Sequence, residues 1–126
     1  MANGVIARIL QSPMHRLLSR STALVRYHGR RTGRTVTTPV QYARHGSGIV
    51  VLVGHPEGKT WWRNFRQGHD LEVLIGGRWE PMRGRAVIGR EEPETAARLL
   101  DVYATRFPGA ARQEADTCVL ISCTRR

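Results

Sequence analysis

Two glycine turns set the terms on which this chain can fold. Gly46-Ser47-Gly48 stands directly before the apolar run Ile49–Val53, and Gly76-Gly77 separates the alternating Leu71–Ile75 from Trp79–Ile88. Apolar runs this short, bounded by glycines, read as strands, and turns this tight return the chain antiparallel. Upstream, Ala23–His28 reads as a strand and Val36–Arg44 as its return, joined by Gly29-Arg30-Arg31-Thr32-Gly33-Arg34. Thr117–Cys123 closes the chain as a last strand. One segment follows a different rule. Glu91–Phe107 has acidic residues and Pro93 in its first turn, Ala96, Leu99, Leu100 and Tyr103 at helical spacing, and Pro108-Gly109 as its stop. Short strands with hairpin turns, plus helices at the ends and in one crossover, predict a mostly β fold with flanking helices, a small antiparallel barrel.

At 126 residues the chain is expected to form one domain, 1–126. Its first 22 residues carry an amphipathic helical segment. Val5, Ile6, Ile9, Leu10, Met14, Leu17 and Leu18 recur at helical spacing among Arg8, His15, Arg16 and Arg20, and Pro13 either breaks the helix or starts a second. Two roles are open for residues 1–20: peripheral contact with an anionic membrane, or a plug for one end of the barrel. No run approaches the ~18 apolar residues of a membrane-spanning helix, and no secretory signal is visible. Cys118 and Cys123 stand in one strand at an odd separation that points them to opposite faces, so no mutual disulfide is expected. These features predict a reducing cytoplasm, with any membrane association resting on residues 1–20.

The charge is lopsided, 20 Lys+Arg against 10 Asp+Glu, and all of the excess but Lys59 is arginine. Guanidinium forks onto phosphate and carboxylate, so the partner to look for is an anion: a cofactor, a lipid or a nucleic acid. The basic residues run from Arg8 to Arg126 without forming a tract, and the few aromatics are not interleaved with arginine along strands. Nucleic acid is therefore not the expected partner, and a small basic nucleic-acid-binding barrel stands as the alternative from another class.

Gly54-His55-Pro56-Glu57-Gly58-Lys59-Thr60 follows the Ile49–Val53 strand as a nucleotide-triphosphate loop would, but it has three residues between its glycines where that loop needs four. A Gly-Lys-Thr turn opening a helix still offers free N–H groups to a phosphate. Trp61-Trp62-Arg63-Asn64-Phe65 starts that short helix. Trp61 and Phe65, four apart, would pack on the barrel, and Asn64 would lie near Trp61 with an amide that a heterocycle could satisfy. The Gly29–Arg34 segment reads either as a solvated basic turn or as the anion-binding end of a pocket. The five histidines show no metal-ligand spacing, and neither a Gly-x-Ser-x-Gly elbow nor a nucleophilic cysteine context occurs, so no metal and no hydrolytic triad is expected.

The order of these pieces resembles the deazaflavin-dependent nitroreductase family of actinobacteria. The resemblance rests on Gly29-Arg30-Arg31-Thr32-Gly33, then Thr38-Pro39-Val40-Gln41-Tyr42, a hydrophobic strand, a glycine loop and Trp61-Trp62-Arg63-Asn64-Phe65. It covers residues 24–88 well and the last helix and strand in outline. It implies a split β-barrel of the FMN-binding type and an oxidoreductase that passes a hydride from reduced coenzyme F-420 to a small acceptor: a quinone, a nitro compound or an activated alkene. Carried over, Arg30, Arg31 and Thr32 would hold the phosphate and acidic tail of the cofactor, with Arg34 and Lys59. Pro39, Val40, Gln41 and Tyr42 would run beside the deazaflavin ring, and Gly54, His55, Trp61 and Asn64 would form the opposite wall. Tyr42 is the pocket hydroxyl and the candidate catalytic group. FMN is the alternative cofactor, since it too joins a phosphate to a planar ring. This chain departs from the family in lacking tyrosines after the long helix, where it has Pro108-Gly109-Ala110-Ala111-Arg112-Gln113.

Overall fold

A computed structural model describes residues 21–126. The N-terminal amphipathic segment, with its membrane and plug readings, lies outside the described residues. Seven strands form one sheet: β1 (Thr22–His28), β2 (Thr35–Gln41), β3 (Ala43–His45), β4 (Gly48–Val53), β5 (His69–Ile75), β6 (Arg78–Ile88) and β7 (Val119–Arg125). Their order is β2-β1-β5-β6-β7-β4-β3, and every pairing is antiparallel. Between β6 and β7 runs the helix α1 (Pro93–Arg106), with proline in its first turn as the sequence predicts. The sheet curls into a half-barrel with α1 on its outside, the split-barrel class expected. No helix among the described residues is long and apolar enough to cross a membrane.

The expected return strand Val36–Arg44 is in fact two strands. Thr35–Gln41 pairs with β1 from Gln41↔Thr22 to Thr35↔His28, whereas Ala43–His45 pairs with β4 at the other end of the sheet order. The chain crosses from one sheet edge to the other at Tyr42, whose N–H donates to Ser21 O at 3.0 Å. Residues on both sides of the crossing favour strand, so local propensity could not reveal that they pair with different neighbours. Pro39 fits here because β2 is an edge strand, where a missing N–H is tolerated.

Two apolar layers follow from the alternation along each strand. Val25, Tyr27, Ile49, Val51, Val73 and Ile121 fill the barrel with Trp62 and Phe65, while Val50, Val87 and Leu120 face outward beneath Ala96, Leu99, Leu100 and Tyr103 of α1. Because both faces of β4 are covered, Ile49–Val53 reads as an unbroken apolar run. The cysteines fall on opposite sides as their spacing predicts. Cys123 lies inside the barrel and Cys118 under the helix; both are free, and burial pushes the Cys123 thiol up to about 12. In β6, Gly84 makes room for the core. A Cβ there would stand 2.9 Å from the Phe65 ring.

Candidate active site

The site begins with the shortness of β3. It reaches only Gly48–Val50 of β4, and Val51–Val53 continue beyond it with β7 on one side. β2 likewise has β1 on one side and, among the described residues, no strand on the other. Thr38–Gln41 and Val51–Gly54 therefore line a cleft of about 450 Å³ where the barrel is split, with Trp61, Lys59 and Tyr103 completing its walls. Open strand edges present backbone N–H and C=O groups, the donors and acceptors that the edge of a planar heterocycle needs. Gly54 has no side chain, and Lys59 Nζ lies 3.8 Å from where its Cβ would be.

A second cleft of about 240 Å³ lies between the Gly29–Thr32 turn and Thr60, Arg63 and Asn64. The turn is tied internally: Gly29 N–H donates to Arg34 O and Gly33 N–H to Gly29 O, each at 2.8 Å. Gly33 has φ +70, a conformation that favours glycine. Thr32 Oγ1 accepts the Arg34 N–H at 3.2 Å, which leaves the hydroxyl proton free to donate to a ligand. Among the described residues no carboxylate lines this cleft. Among the described residues the ion pairs are Arg26–Glu72, Arg66–Glu91, Arg83–Asp70, Arg85–Glu92 and Arg126–Asp70, and none uses Arg30, Arg31 or Arg63. Three guanidiniums with no internal counter-ion surround a space that suits an anion.

One short element walls both clefts. Trp61–Phe65 is a 3-10 helix, preceded by the 3-10 turn Pro56–Gly58. Its period of three, in place of the α-helical spacing expected, changes which residues go inward. Trp62 and Phe65 are buried, whereas Trp61 is half-buried and lines the split, its ring 6.2 Å from that of Phe65. The indole N–H of Trp62 donates to Pro56 O at 2.9 Å and pins the preceding turn. The same period places Thr60 and Arg63 together on the arginine cleft. Asn64 ties the two regions: its Nδ2 donates to Trp61 O, and its Oδ1 accepts the N–H of Arg30, both at 2.8 Å. The amide expected to meet a heterocycle is instead partnered by backbone at both ends. Asn64→Ala is expected to cost about 1 kcal/mol of stability, since the Arg30 bond is exposed, and to weaken anion binding at the turn. Urea unfolding and a phosphate titration check the two effects separately.

The sequence-predicted residues are thus divided. Arg30, Arg31, Thr32 and Asn64 meet at the arginine cleft, and Pro39, Val40, Gln41, Gly54, Lys59 and Trp61 meet at the split. Arg34 and His55 line neither. His55 is exposed, with φ 51 at the head of the Pro56–Gly58 turn. Tyr42 lines a third cleft at the β2–β3 corner. Its burial raises the phenol pKa, while Arg44 and Arg106 pull it back down. Sequence reasoning placed Thr60 in the phosphate-facing Gly-Lys-Thr turn but missed Arg63 and Tyr103. Arg63 stands three after Thr60, a signal visible only once the 3-10 period is known. Tyr103 reads as helix core and reaches the split only because α1 packs over the sheet.

Comparison with known proteins agrees with this geometry. The family model described as F420H(2)-dependent quinone reductase matches residues 6–121. A Mycobacterium tuberculosis protein, whose curated name assigns it provisionally to the same reductases, is 26% identical over 86 residues, 66% of this chain and 72% of that protein. Among solved structures, an F-420-H2 dependent reductase superposes with a TM-score of 0.63 at 15% identity, covering 82% of this chain and 95% of the other. The heme storage protein HutZ of Vibrio cholerae superposes at 0.54 and 12% identity, covering 92% and 90%. Likeness at such identities shows the split-barrel fold alone, and neighbours that differ in what they bind confirm that fold does not choose the ligand. The family match does choose it: the chain belongs to the F420H(2)-dependent quinone reductase family, and it is an oxidoreductase that works with coenzyme F-420.

Proposed function

We propose that this protein holds reduced F-420 across its two joined clefts and delivers a hydride to a quinone, with nitro compounds and activated alkenes as further acceptors. The observation that carries this reading is the shared wall. A cleft with three unpaired arginines adjoins, through the Lys59–Asn64 segment, a slot bounded by open strand edges and Trp61. Such a pair fits a molecule that joins an anionic tail to a flat heterocycle. When bound, the cofactor supplies a two-electron donor, and the chemistry of the hydride is its own.

The chain's residues do the rest. Arg30, Arg31 and Arg63 would neutralise the phosphate, with the Thr32 hydroxyl donating to it. Asn64 would hold the Arg30 backbone and the Trp61 carbonyl at a constant separation, so that tail and ring are positioned together. Thr38–Gln41 and Val51–Gly54 would pair with the heterocycle edge, and Trp61 would exclude water from its face. Tyr42 is the candidate catalytic hydroxyl, buried at the β2–β3 corner beside the slot. Burial raises its pKa, so it stays a phenol through neutral pH.

The test is titration with F-420 and with FMN, followed by mixing with reduced F-420 and a naphthoquinone. Salt-sensitive binding of F-420 over FMN, with return of the oxidised deazaflavin absorbance on adding the quinone, is expected. Preference for FMN, or tight binding without turnover of any quinone or nitroaromatic, overturns the reading.

A further inference from the structure

The corner at Tyr42 holds a cleft of about 490 Å³ that the hydride-donor site does not use, lined by Tyr42, Ala43, Arg44, Thr105 and Arg106. It continues both walls of the split. On the strand side Gln41 lines the split and Tyr42 the corner; on the helix side Tyr103 lines the split and Thr105 and Arg106 the corner. The two clefts thus adjoin at the last residue of β2. The arginine turn lies at the opposite end of that strand, which rises roughly 20 Å from Thr35 to Gln41 at about 3.3 Å per residue.

The corner has the chemistry of an anion site. Among the described residues, neither Arg44 nor Arg106 belongs to any ion pair and no Asp or Glu lines the cleft. Both arginines line the cleft together with Tyr42. The Thr105 hydroxyl donates to Val102 O at 2.7 Å and leaves the guanidiniums as the charged donors. Two arginines facing one cleft without a carboxylate match a carboxylate ligand.

We propose that this corner cleft binds a carboxylate of the acceptor, so that the enzyme selects acceptors that pair a reducible conjugated ring with an acidic group. The proposal rests on the F-420 reading of the split. The acidic tail of the cofactor has the same chemistry, but it follows the phosphate, and the phosphate arginines lie at the far end of β2.

The test uses a naphthoquinone bearing a carboxylate on a short arm and its uncharged methyl ester. For the full chain and for an Arg44→Gln/Arg106→Gln double variant, kcat/KM with reduced F-420 is measured for both acceptors, together with the Kd of F-420. Equilibrium binding of the acid to cofactor-free protein is followed by tryptophan quenching. Both arginines are exposed, so the variant should fold. The acid-to-ester ratio of kcat/KM is expected to fall about tenfold or more in the variant, with a matching loss of acid binding and an F-420 Kd within about twofold of the parent. An unchanged ratio overturns the proposal. A weakened F-420 Kd with an unchanged ratio assigns the corner to the cofactor tail and overturns it equally. Failure of the parent protein to bind F-420 would instead sink the functional reading, and the cofactor-free binding arm would still decide the corner.

Discussion

Changing Arg30 and Arg31 together to Ala is expected to weaken F-420 binding by about 2–4 kcal/mol, roughly 30- to 1000-fold in Kd, in a protein that stays folded. Both side chains are exposed and make no ion pair among the described residues, so their loss removes little from the fold. The turn keeps its shape through the Gly29–Arg34 and Gly33–Gly29 backbone bonds, and Asn64 holds position 30 through its backbone N–H. What disappears is charge aimed at an anion, so the salt dependence of binding should flatten along with the affinity. Arg63 remains in the double variant and keeps part of the site. Adding Arg63→Ala should therefore deepen the loss. Unchanged F-420 affinity in a folded double variant would remove the turn from the site.

Phe65→Ala is expected to destabilise the protein by about 3–5 kcal/mol, read as a lower urea midpoint at constant slope. The ring is completely buried. It meets Tyr27 edge-on at 5.1 Å and His69 at 5.7 Å, and it lies against Gly84, where no side chain intervenes. The surrounding strands are hydrogen-bonded on both sides and cannot collapse into the space, so the cavity cost adds to the lost transfer energy. Function should suffer as well, because Phe65 anchors the 3-10 helix that presents Trp61 and Asn64 to the two clefts. A loss under about 1 kcal/mol would show that this helix is held by its hydrogen bonds, those of Trp62 and Asn64, more than by its buried ring.

Much of the candidate site is legible in the sequence. The basic turn, the Pro39–Gln41 strand and the Lys59–Asn64 segment each carry residue types whose chemistry points to a flat anion, and their order along the chain pointed to a deazaflavin. Two details were not legible. The α-helical spacing of Trp61–Phe65 pairs Trp61 with Phe65, and their rings do meet at 6.2 Å, but the 3-10 turn also buries Trp62, which that spacing does not show. A five-residue segment is too short for periodicity to distinguish the two. The backbone partner of Asn64 at Arg30 stands 34 positions away, and no local pattern records such a contact.

By itself the sequence determined what neighbouring residues can settle: strand alternation, hairpins at the glycine turns, a proline-started helix, an arginine turn with glycine where φ is positive, and cysteines on opposite faces. Each depends on torsional preference and side-chain period within a few residues. Only the tertiary structure decided that Val36–Arg44 parts at Tyr42 between two sheet edges, and that β3 stops short of Val51. The open edges of β2 and β4 then form the slot, with arginines from four separate segments in the two neighbouring clefts. Those outcomes depend on how far the sheet curls and which strands meet when it does. That is set by the packing of the whole core, to which no single segment holds the answer.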